Sequence, residues 1–184
     1  MKKLWNPIAH FDEKKLLMVG LATVVLTVAS GYFFGLKMVS LLKYVDSRAR
    51  PEILAFSALR AYGTAIVVLY FYGLLINRKT RLLDIINTVL ISTLPAILAY
   101  PVQKIPFFEK ALKGIMENPQ SVLPSDIAVL LLLCLVMMPC VIYQFVILLN
   151  GFRTATNLKA WYHVALFFVI LLIIASFTPY LFKL

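Results

Sequence analysis

Polar side chains that interrupt long apolar runs are the first candidates for chemistry in this sequence. Arg60, Asp84, Asn87 and Gln144 each stand among apolar neighbours. Ionisable and amide groups are costly to place inside a membrane, and where they occur there they commonly line the path of an ion, a proton or a polar solute. Arg60, Asp84 and Gln144, with the proline kinks at Pro95 and Pro139, are therefore the candidates for a solute-lining site, and Asn87 gives its run a polar face.

Two of these residues also have a structural interpretation. Arg60 lies about six residues, or about 9 Å of helix, from the start of its apolar run, so its long side chain can reach the headgroups. Asp84 follows Arg81 at a helical spacing that favours a local ion pair. We expect a positional role for Arg60 and a structural one for Asp84, and a transport role stays open as the alternative.

Two prolines inside apolar runs, Pro95 and Pro139, predict helix kinks. Proline lacks a backbone N–H and clashes with the preceding turn, so Pro95 should leave the Ile91 carbonyl without its helical partner. A bend of this kind favours a helix that packs against other helices over one surrounded by lipid.

Motifs of known catalytic and cofactor sites are absent. The sequence contains no His-x-x-x-His, Cys-x-x-Cys, Gly-x-Ser-x-Gly or phosphate-binding glycine loop. Its two histidines lie near the ends of apolar runs, and its carboxylates lie in loops and at helix ends, which leaves no acid–base pair or metal cage. We therefore predict a protein that is not an enzyme, with no cofactor and no metal site.

Composition decides the class of protein. Hydrophobic residues make up 62% of the 184 residues, whereas about 45–50% is usual in soluble domains. Charged residues make up only 14%, whereas about 25% is usual. The net charge of +10 does not indicate nucleic acid, because Lys and Arg fall between the apolar runs, where they face lipid headgroups and set orientation. The partner implied by this pattern is the lipid bilayer.

Five apolar runs are long enough to cross a hydrocarbon core as helices. They cover residues 16–34, 54–76, 82–100, 127–149 and 160–181. The second and third runs are joined by only five residues, 77–81, so they must be antiparallel neighbours. The sequence predicts one all-α membrane domain, a polytopic helix bundle with five transmembrane helices. Residues 36–45 and 107–116 are amphipathic, and we expect helices lying at the membrane interface there.

Basic residues in two loops give the bundle its orientation. With the N-terminus inside, nine Lys and Arg fall on inner segments and eight on outer ones, but the inner loops are shorter and more densely basic. We therefore predict N-terminus in and C-terminus out. The basic residues of the two inner loops are the candidates for contact with anionic lipid or an acidic partner: Arg78, Lys79, Arg81, Arg153 and Lys159. The alternative is that they only set topology.

The basic connection in residues 73–84, with the Leu94-Pro95 that follows it, and the connection in residues 149–159 have recognisable sequences. Together they resemble the Yip domain family, five-span membrane proteins named for interaction with Ypt/Rab GTPases. Residues 73–84, Gly-Leu-Leu-Ile-Asn-Arg-Lys-Thr-Arg-Leu-Leu-Asp, running on to Leu94-Pro95, are similar to that family's second-to-third span hairpin. Residues 149–159, Leu-Asn-Gly-Phe-Arg-Thr-Ala-Thr-Asn-Leu-Lys, are similar to its fourth-to-fifth loop. Eukaryotic members carry a long N-terminal region, whereas only about fifteen residues precede the first run here. The resemblance is therefore to the short prokaryotic type, and GTPase binding is not expected.

This resemblance implies a non-enzymatic protein of membrane organisation, trafficking or partner binding. It implies a place in the bacterial cytoplasmic (inner) membrane, with an endomembrane as the alternative. Other membrane proteins or a second copy of the chain are further expected partners. Two other functions stay open: a small-solute transporter or channel component, and an accessory subunit of a larger membrane complex.

Overall fold

Helices make up most of what the computed structural model describes, which is residues 6–99, 102, 104–106 and 123–180. A short 3-10 turn, Pro7–Ala9, precedes the first helix. The helices are α1 (Glu13–Phe34), α2 (Pro51–Ile76), α3 (Leu82–Ser92), α4 (Leu94–Leu98), α5 (Pro124–Thr156) and α6 (Trp161–Phe177). An antiparallel hairpin of β1 (Leu36–Ser40) and β2 (Lys43–Asp46) connects α1 to α2.

Among the residues that the structure describes, three helices are long and apolar enough to cross a membrane: α1, α2 and the Ile127–Thr156 part of α5. Two shorter apolar stretches, Leu82–Leu98 and α6, correspond to the third and fifth runs of the sequence. The prediction of a mostly helical protein is confirmed, and so is the prediction of several helices that are long and apolar enough to span a membrane. The amphipathic helix expected at residues 107–116 lies outside the described residues.

Small residues on one face of α1 allow the other helices to approach it closely. The buried positions recur every three or four residues: Leu16, Gly20, Thr23, Thr27 and Gly31. A Cβ at Gly20 would lie 2.9 Å from the Cβ of Leu90 on α3. Small residues have this role between membrane helices, where close backbone approach replaces the hydrophobic driving force.

The segment between α1 and α2 is a β-hairpin, so the expectation of an interfacial helix at residues 36–45 was wrong. Gly35 ends α1 in the left-handed conformation (φ 65°), and the chain reverses there. At Gly31 a Cβ would lie 2.5 Å from the Leu36 carbonyl oxygen, which shows how closely β1 folds back on α1. Met38 and Leu41 are buried in the main hydrophobic core. The amphipathic pattern therefore came from residues that pack against protein, not from a helix on a lipid surface.

Side chains from distant helices bind the backbone of this hairpin. Ser57 of α2 donates a hydrogen bond to the Met38 carbonyl, and Gln144 of α5 donates one to the Leu41 carbonyl at 3.1 Å. Buried carbonyl groups need such partners, because an unsatisfied polar group away from water is costly. The hairpin is thus held by two side chains, Ser57 and Gln144, that lie 19 and 103 residues from their carbonyl partners in sequence.

The two prolines, Pro95 and Pro139, occupy different positions relative to their helices. The helical path is interrupted at Thr93, between the end of α3 and the start of α4, and Pro95 lies in the first turn of α4. A proline is tolerated there because its missing N–H has no helical partner in any case. Helix α5 continues through Pro139 as one element.

Three aromatic rings join α2, α5 and α6 in the core. Tyr72 and Phe152 stack with centroids 5.4 Å apart, and Phe152 lies 4.8 Å from Phe167. Phe152 and Phe167 are fully buried. This stack fixes the last helix of the described chain against the middle of the bundle.

The first half of α5 exposes apolar side chains on most sides. Leu131, Leu132, Leu135 and Met138 are each more than 60% exposed. A helix that is apolar all round is typical of a membrane span. This half of α5 therefore has a surface suited to lipid, whereas its second half packs against the protein through Ile147 and Leu148.

Candidate functional site

Three segments that are distant in sequence meet at one end of the molecule. The amide of Asn77, at the end of α2, donates to the Thr156 carbonyl at the end of α5 (3.3 Å). The amide of Asn6 donates to the Thr154 hydroxyl (2.8 Å), which attaches the N-terminal segment to the same end of α5. The N-terminal segment, the α2–α3 turn and the end of α5 therefore form one surface.

The α2–α3 turn owes its shape to two side chains. The Asn77 side-chain oxygen accepts a hydrogen bond from the Lys79 N–H (3.0 Å), which is the usual arrangement of an Asx turn. The Thr80 hydroxyl is close to two carbonyl oxygens, at 2.6 Å from that of Asn77 and 3.0 Å from that of Gly73. Thr80 is consequently buried, while the basic residues beside it are exposed.

Glycines bring the helix ends close together at this surface. A Cβ at Gly73 would lie 2.9 Å from Thr80 Cγ2 and 3.2 Å from Thr156 Cγ2. A Cβ at Gly151 of α5 would lie 2.6 Å from the Thr88 hydroxyl of α3. Larger residues at these two positions would separate the turn, α3 and the end of α5.

Arg81 anchors the start of α1 to the turn. Both of its terminal nitrogens donate to the Glu13 carboxylate, with Nη2 to Oε2 at 2.9 Å. This bidentate contact raises the pKa of Arg81, which is protonated at any physiological pH. The local pair expected between Arg81 and Asp84 is replaced by this contact across 68 residues of sequence, and among the described residues Asp84 forms no ion pair.

Exposed basic side chains dominate this end of the molecule. They are Lys14, Lys15, Arg78, Lys79, Arg81, Arg153 and Lys159. We call this set the basic face. Acidic residues in the same segments are fewer, namely Asp12, Glu13 and Asp84, and Glu13 is paired with Arg81. The surface therefore carries an excess of positive charge, and it includes the five basic residues that the sequence offered for lipid or partner contact.

The intramembrane polar candidates bond to different elements. Asn87 is buried in α3, and its amide donates to the Glu13 carbonyl (3.4 Å). Gln144 is buried in α5 and binds the hairpin. Arg60 and Asp84 are half-buried, in α2 and in the first turn of α3. Asn87 and Gln144 thus donate to backbone carbonyls of two different elements, while the side-chain oxygen of Asn87 is buried without a hydrogen-bond partner among the described residues.

A chain of buried hydroxyl groups was not singled out from the sequence. The Tyr62 hydroxyl lies 2.8 Å from the Thr27 hydroxyl and 2.9 Å from the Thr93 hydroxyl, and all three residues are buried. The chain joins α1 and α2 to the break between α3 and α4. The only signal for it in the sequence is the regular spacing of Thr23 and Thr27 among the small residues of α1.

The opposite end of the molecule holds the hairpin and a more open, polar cleft. Lys104 pairs with Asp46 of β2 at 3.0 Å, and both line this cleft of about 730 Å³ together with Arg48. Charges of both signs are present there. This end therefore lacks the one-sided charge of the basic face.

No group of three or more His, Cys, Asp or Glu side chains within the described ranges is placed to hold a metal ion. Comparison with protein-family models, with curated proteins and with solved structures finds no match to this chain.

Proposed function

We propose that this chain is a non-enzymatic, multi-pass membrane protein of the Yip type that organises a membrane surface through its basic face. The observation that supports this proposal is the meeting of three basic segments, held by the Asn77–Thr156 and Asn6–Thr154 hydrogen bonds. Charges gathered on one fixed surface attract anionic headgroups by about 1 kcal/mol per basic residue. Basic loops that only set topology would not need to be bonded to one another, so the hydrogen bonds between these segments favour a joint role for their charges.

The proposal includes five membrane crossings, with the basic face on the cytoplasmic side. Helices α1, α2 and α5 supply three of them, and Leu82–Leu98 and α6 supply the other two. The 17 residues of α6 extend for about 26 Å, close to the thickness of a hydrocarbon core. A basic cytoplasmic side follows the positive-inside rule, and it places the N-terminus in and the C-terminus out.

The Yip-type assignment rests on the resemblance in residues 73–84 and 149–159. These are the stretches that carry most of the basic face. The corresponding location is the bacterial cytoplasmic membrane. In this function the ligand is an anionic lipid surface, and membrane-protein partners or a second copy would assemble through the helices.

Transport of a small solute is less well supported. Gln144, one of the residues that would line its path, donates its side-chain amide to the Leu41 carbonyl of the hairpin. The donor of this side chain is therefore already bonded to the protein backbone.

The test uses the protein in nanodiscs of zwitterionic lipid, so that its two ends are free to bind vesicles. Binding of phosphatidylglycerol vesicles is compared with binding of phosphatidylcholine vesicles at low and high ionic strength. The Arg78→Gln, Lys79→Gln, Arg153→Gln triple variant should bind anionic vesicles roughly 100-fold more weakly at low salt, the sum of about 1 kcal/mol per residue. The difference should shrink at high salt, because exposed charges are screened.

The matched control removes three exposed basic residues from the opposite end, as Lys43→Gln, Arg48→Gln and Arg50→Gln. It changes net charge equally and should leave anionic vesicle binding unchanged. Equal binding by wild type and the basic-face variant would remove this surface from the function and leave its charges as orientation signals. Unchanged topology of both variants is verified first.

A further inference from the structure

A second feature lies beside the basic face: an apolar cleft of about 300 Å³ between three helical segments. Leu16 and Val19 contribute the α1 wall, Leu94 and Pro95 the start of α4, and Ile147 the α5 wall. Leu94 and Pro95 lie directly after the break at Thr93, at the start of α4.

Among the described residues that line the cleft, one is charged: Lys15, which is exposed and belongs to the basic face. Phe11 of the N-terminal segment also contributes to the lining. Val19 lies four residues further along α1 than Lys15, about 6 Å along the helix axis in the direction away from the basic face. The cleft is therefore positively charged where it meets the basic face and apolar beyond that point.

This arrangement fits an amphiphile with a negative head and a hydrocarbon tail. A polar solute would lack partners on the apolar walls, and burying its polar groups without hydrogen bonds would be costly. The volume is at the low end of ligand pockets, which span about 300–1,000 Å³, so it suits one hydrocarbon chain and not a whole lipid. The ammonium group of Lys15 would lie beside the phosphate of such a head group, so that the charges of ligand and cleft are opposite.

We propose that this cleft holds one acyl chain of an anionic membrane phospholipid, whose phosphate binds Lys15. The inference rests on the proposed function, since it names a specific ligand for the basic face. It adds that the protein binds individual lipids from the anionic surface that it attracts. Phe11 and the α1 wall of the cleft would contact the acyl chain of the bound lipid.

Photo-crosslinking tests this placement directly. Purified protein in phosphatidylcholine nanodiscs receives a small fraction of phosphatidylglycerol that carries a diazirine in one acyl chain. After illumination, labelled peptides are mapped by mass spectrometry. Labelling should be enriched in the peptides that contain Leu16, Val19 and Ile147, relative to the exposed first half of α5.

Two pairs of variants test the walls and the charge separately. Val19→Trp fills the cleft and should reduce labelling of these peptides several-fold, whereas Val25→Trp, at another exposed position of α1, should not. Lys15→Gln should abolish the preference for a phosphatidylglycerol probe over a phosphatidylcholine probe. Arg50→Gln removes an exposed basic residue at the opposite end of the molecule, which does not line the cleft, and should retain that preference.

Even labelling along the lipid-facing helices, or equal labelling in the Val19→Trp and Val25→Trp variants, would overturn the inference. If Val19→Trp does not fold, Leu94→Trp blocks the cleft from another wall and is judged in the same way. The vesicle assay remains independent. Val19→Trp should still bind anionic vesicles, and the Arg78, Lys79 and Arg153 triple variant should still be labelled in the cleft, so either proposal can fail alone.

Discussion

The side-chain amide of Asn77 donates a hydrogen bond to the backbone carbonyl of Thr156 across 79 residues of sequence. Asn77 follows the last residue of α2, and Thr156 is the last residue of α5. The bond therefore joins the ends of two helices and, with them, the two basic loops. Gly73, one turn before Asn77, is the residue that allows this approach, since it faces both Thr80 and Thr156.

Gly73→Ala should destabilise the protein by about 1–3 kcal/mol, the usual cost of overpacking a tight contact. The added Cβ would lie 2.9 Å from Thr80 Cγ2 and 3.2 Å from Thr156 Cγ2. Reversible unfolding in mixed detergent micelles measures the change. Gly63→Ala, on the same helix, meets nothing within 4 Å and should stabilise by about 0.5–1 kcal/mol through helix propensity.

A second substitution tests whether the contact between the added Cβ and Thr80 causes the loss of stability. Thr80→Ser removes the methyl group nearest to the added Cβ but keeps the hydroxyl that binds the Gly73 carbonyl. Combined with Gly73→Ala, it should recover part of the lost stability. Identical effects of Gly73→Ala and Gly63→Ala would contradict the close packing of the turn against α2.

Gln144→Leu should destabilise the protein by about 1–3 kcal/mol, because it leaves the buried Leu41 carbonyl without this donor. Val141→Leu, an exposed change on the same helix, should be nearly neutral. Unfolding is measured together with solute flux in proteoliposomes. Wild-type stability of Gln144→Leu with an altered flux would instead assign this residue to a transport path.

The sequence was sufficient for the helices but not for the hairpin. A long apolar run predicts a membrane helix from its own composition, since every residue in it must avoid water. Residues 36–45 differ, because the groups that decide their conformation are Ser57 and Gln144, which bind the Met38 and Leu41 carbonyls from other helices. Local periodicity contains no information about such partners.

The same limit applies to the candidate site. The short connection at residues 77–81 and the alternation of runs were enough to expect the two basic loops on one side. The choice of Glu13 over the nearby Asp84 as the partner of Arg81 was not predictable, because it depends on where the start of α1 packs. The contact of Asn6 with Thr154 was missed for the same reason.

Cysteine accessibility tests the proposed orientation. In a background with Cys134→Ala and Cys140→Ala, single cysteines replace Val45 of β2 and Thr154 of α5, which are both exposed and lie at opposite ends of the molecule. A membrane-impermeant maleimide added to intact cells should label position 45 and not position 154. Permeabilised cells should show labelling of both. Labelling of position 154 alone in intact cells would reverse the orientation and place the basic face outside.

Tyr62 should stabilise the bundle through its hydroxyl group and not only through its ring. Tyr62→Phe removes the contacts with Thr27 and Thr93 while keeping the ring in place. Hydrogen bonds between membrane helices contribute about 0.6 kcal/mol on average and up to about 1.7, so a loss of about 1–2 kcal/mol is expected for two of them. Tyr70→Phe, at a half-buried position of the same helix, is the control for loss of a phenol hydroxyl.

A double-mutant cycle with Thr93→Val separates this bond from general packing. Thr93 lies at the break between α3 and α4, so the bond holds the break against α2. If the bond contributes to stability, the Tyr62→Phe, Thr93→Val double variant should lose less than the sum of the two single losses, by about 0.6 kcal/mol. Strict additivity would mean that the two hydroxyls are only neighbours, and the position of the break would then depend on Pro95 and the apolar contacts of α4 alone.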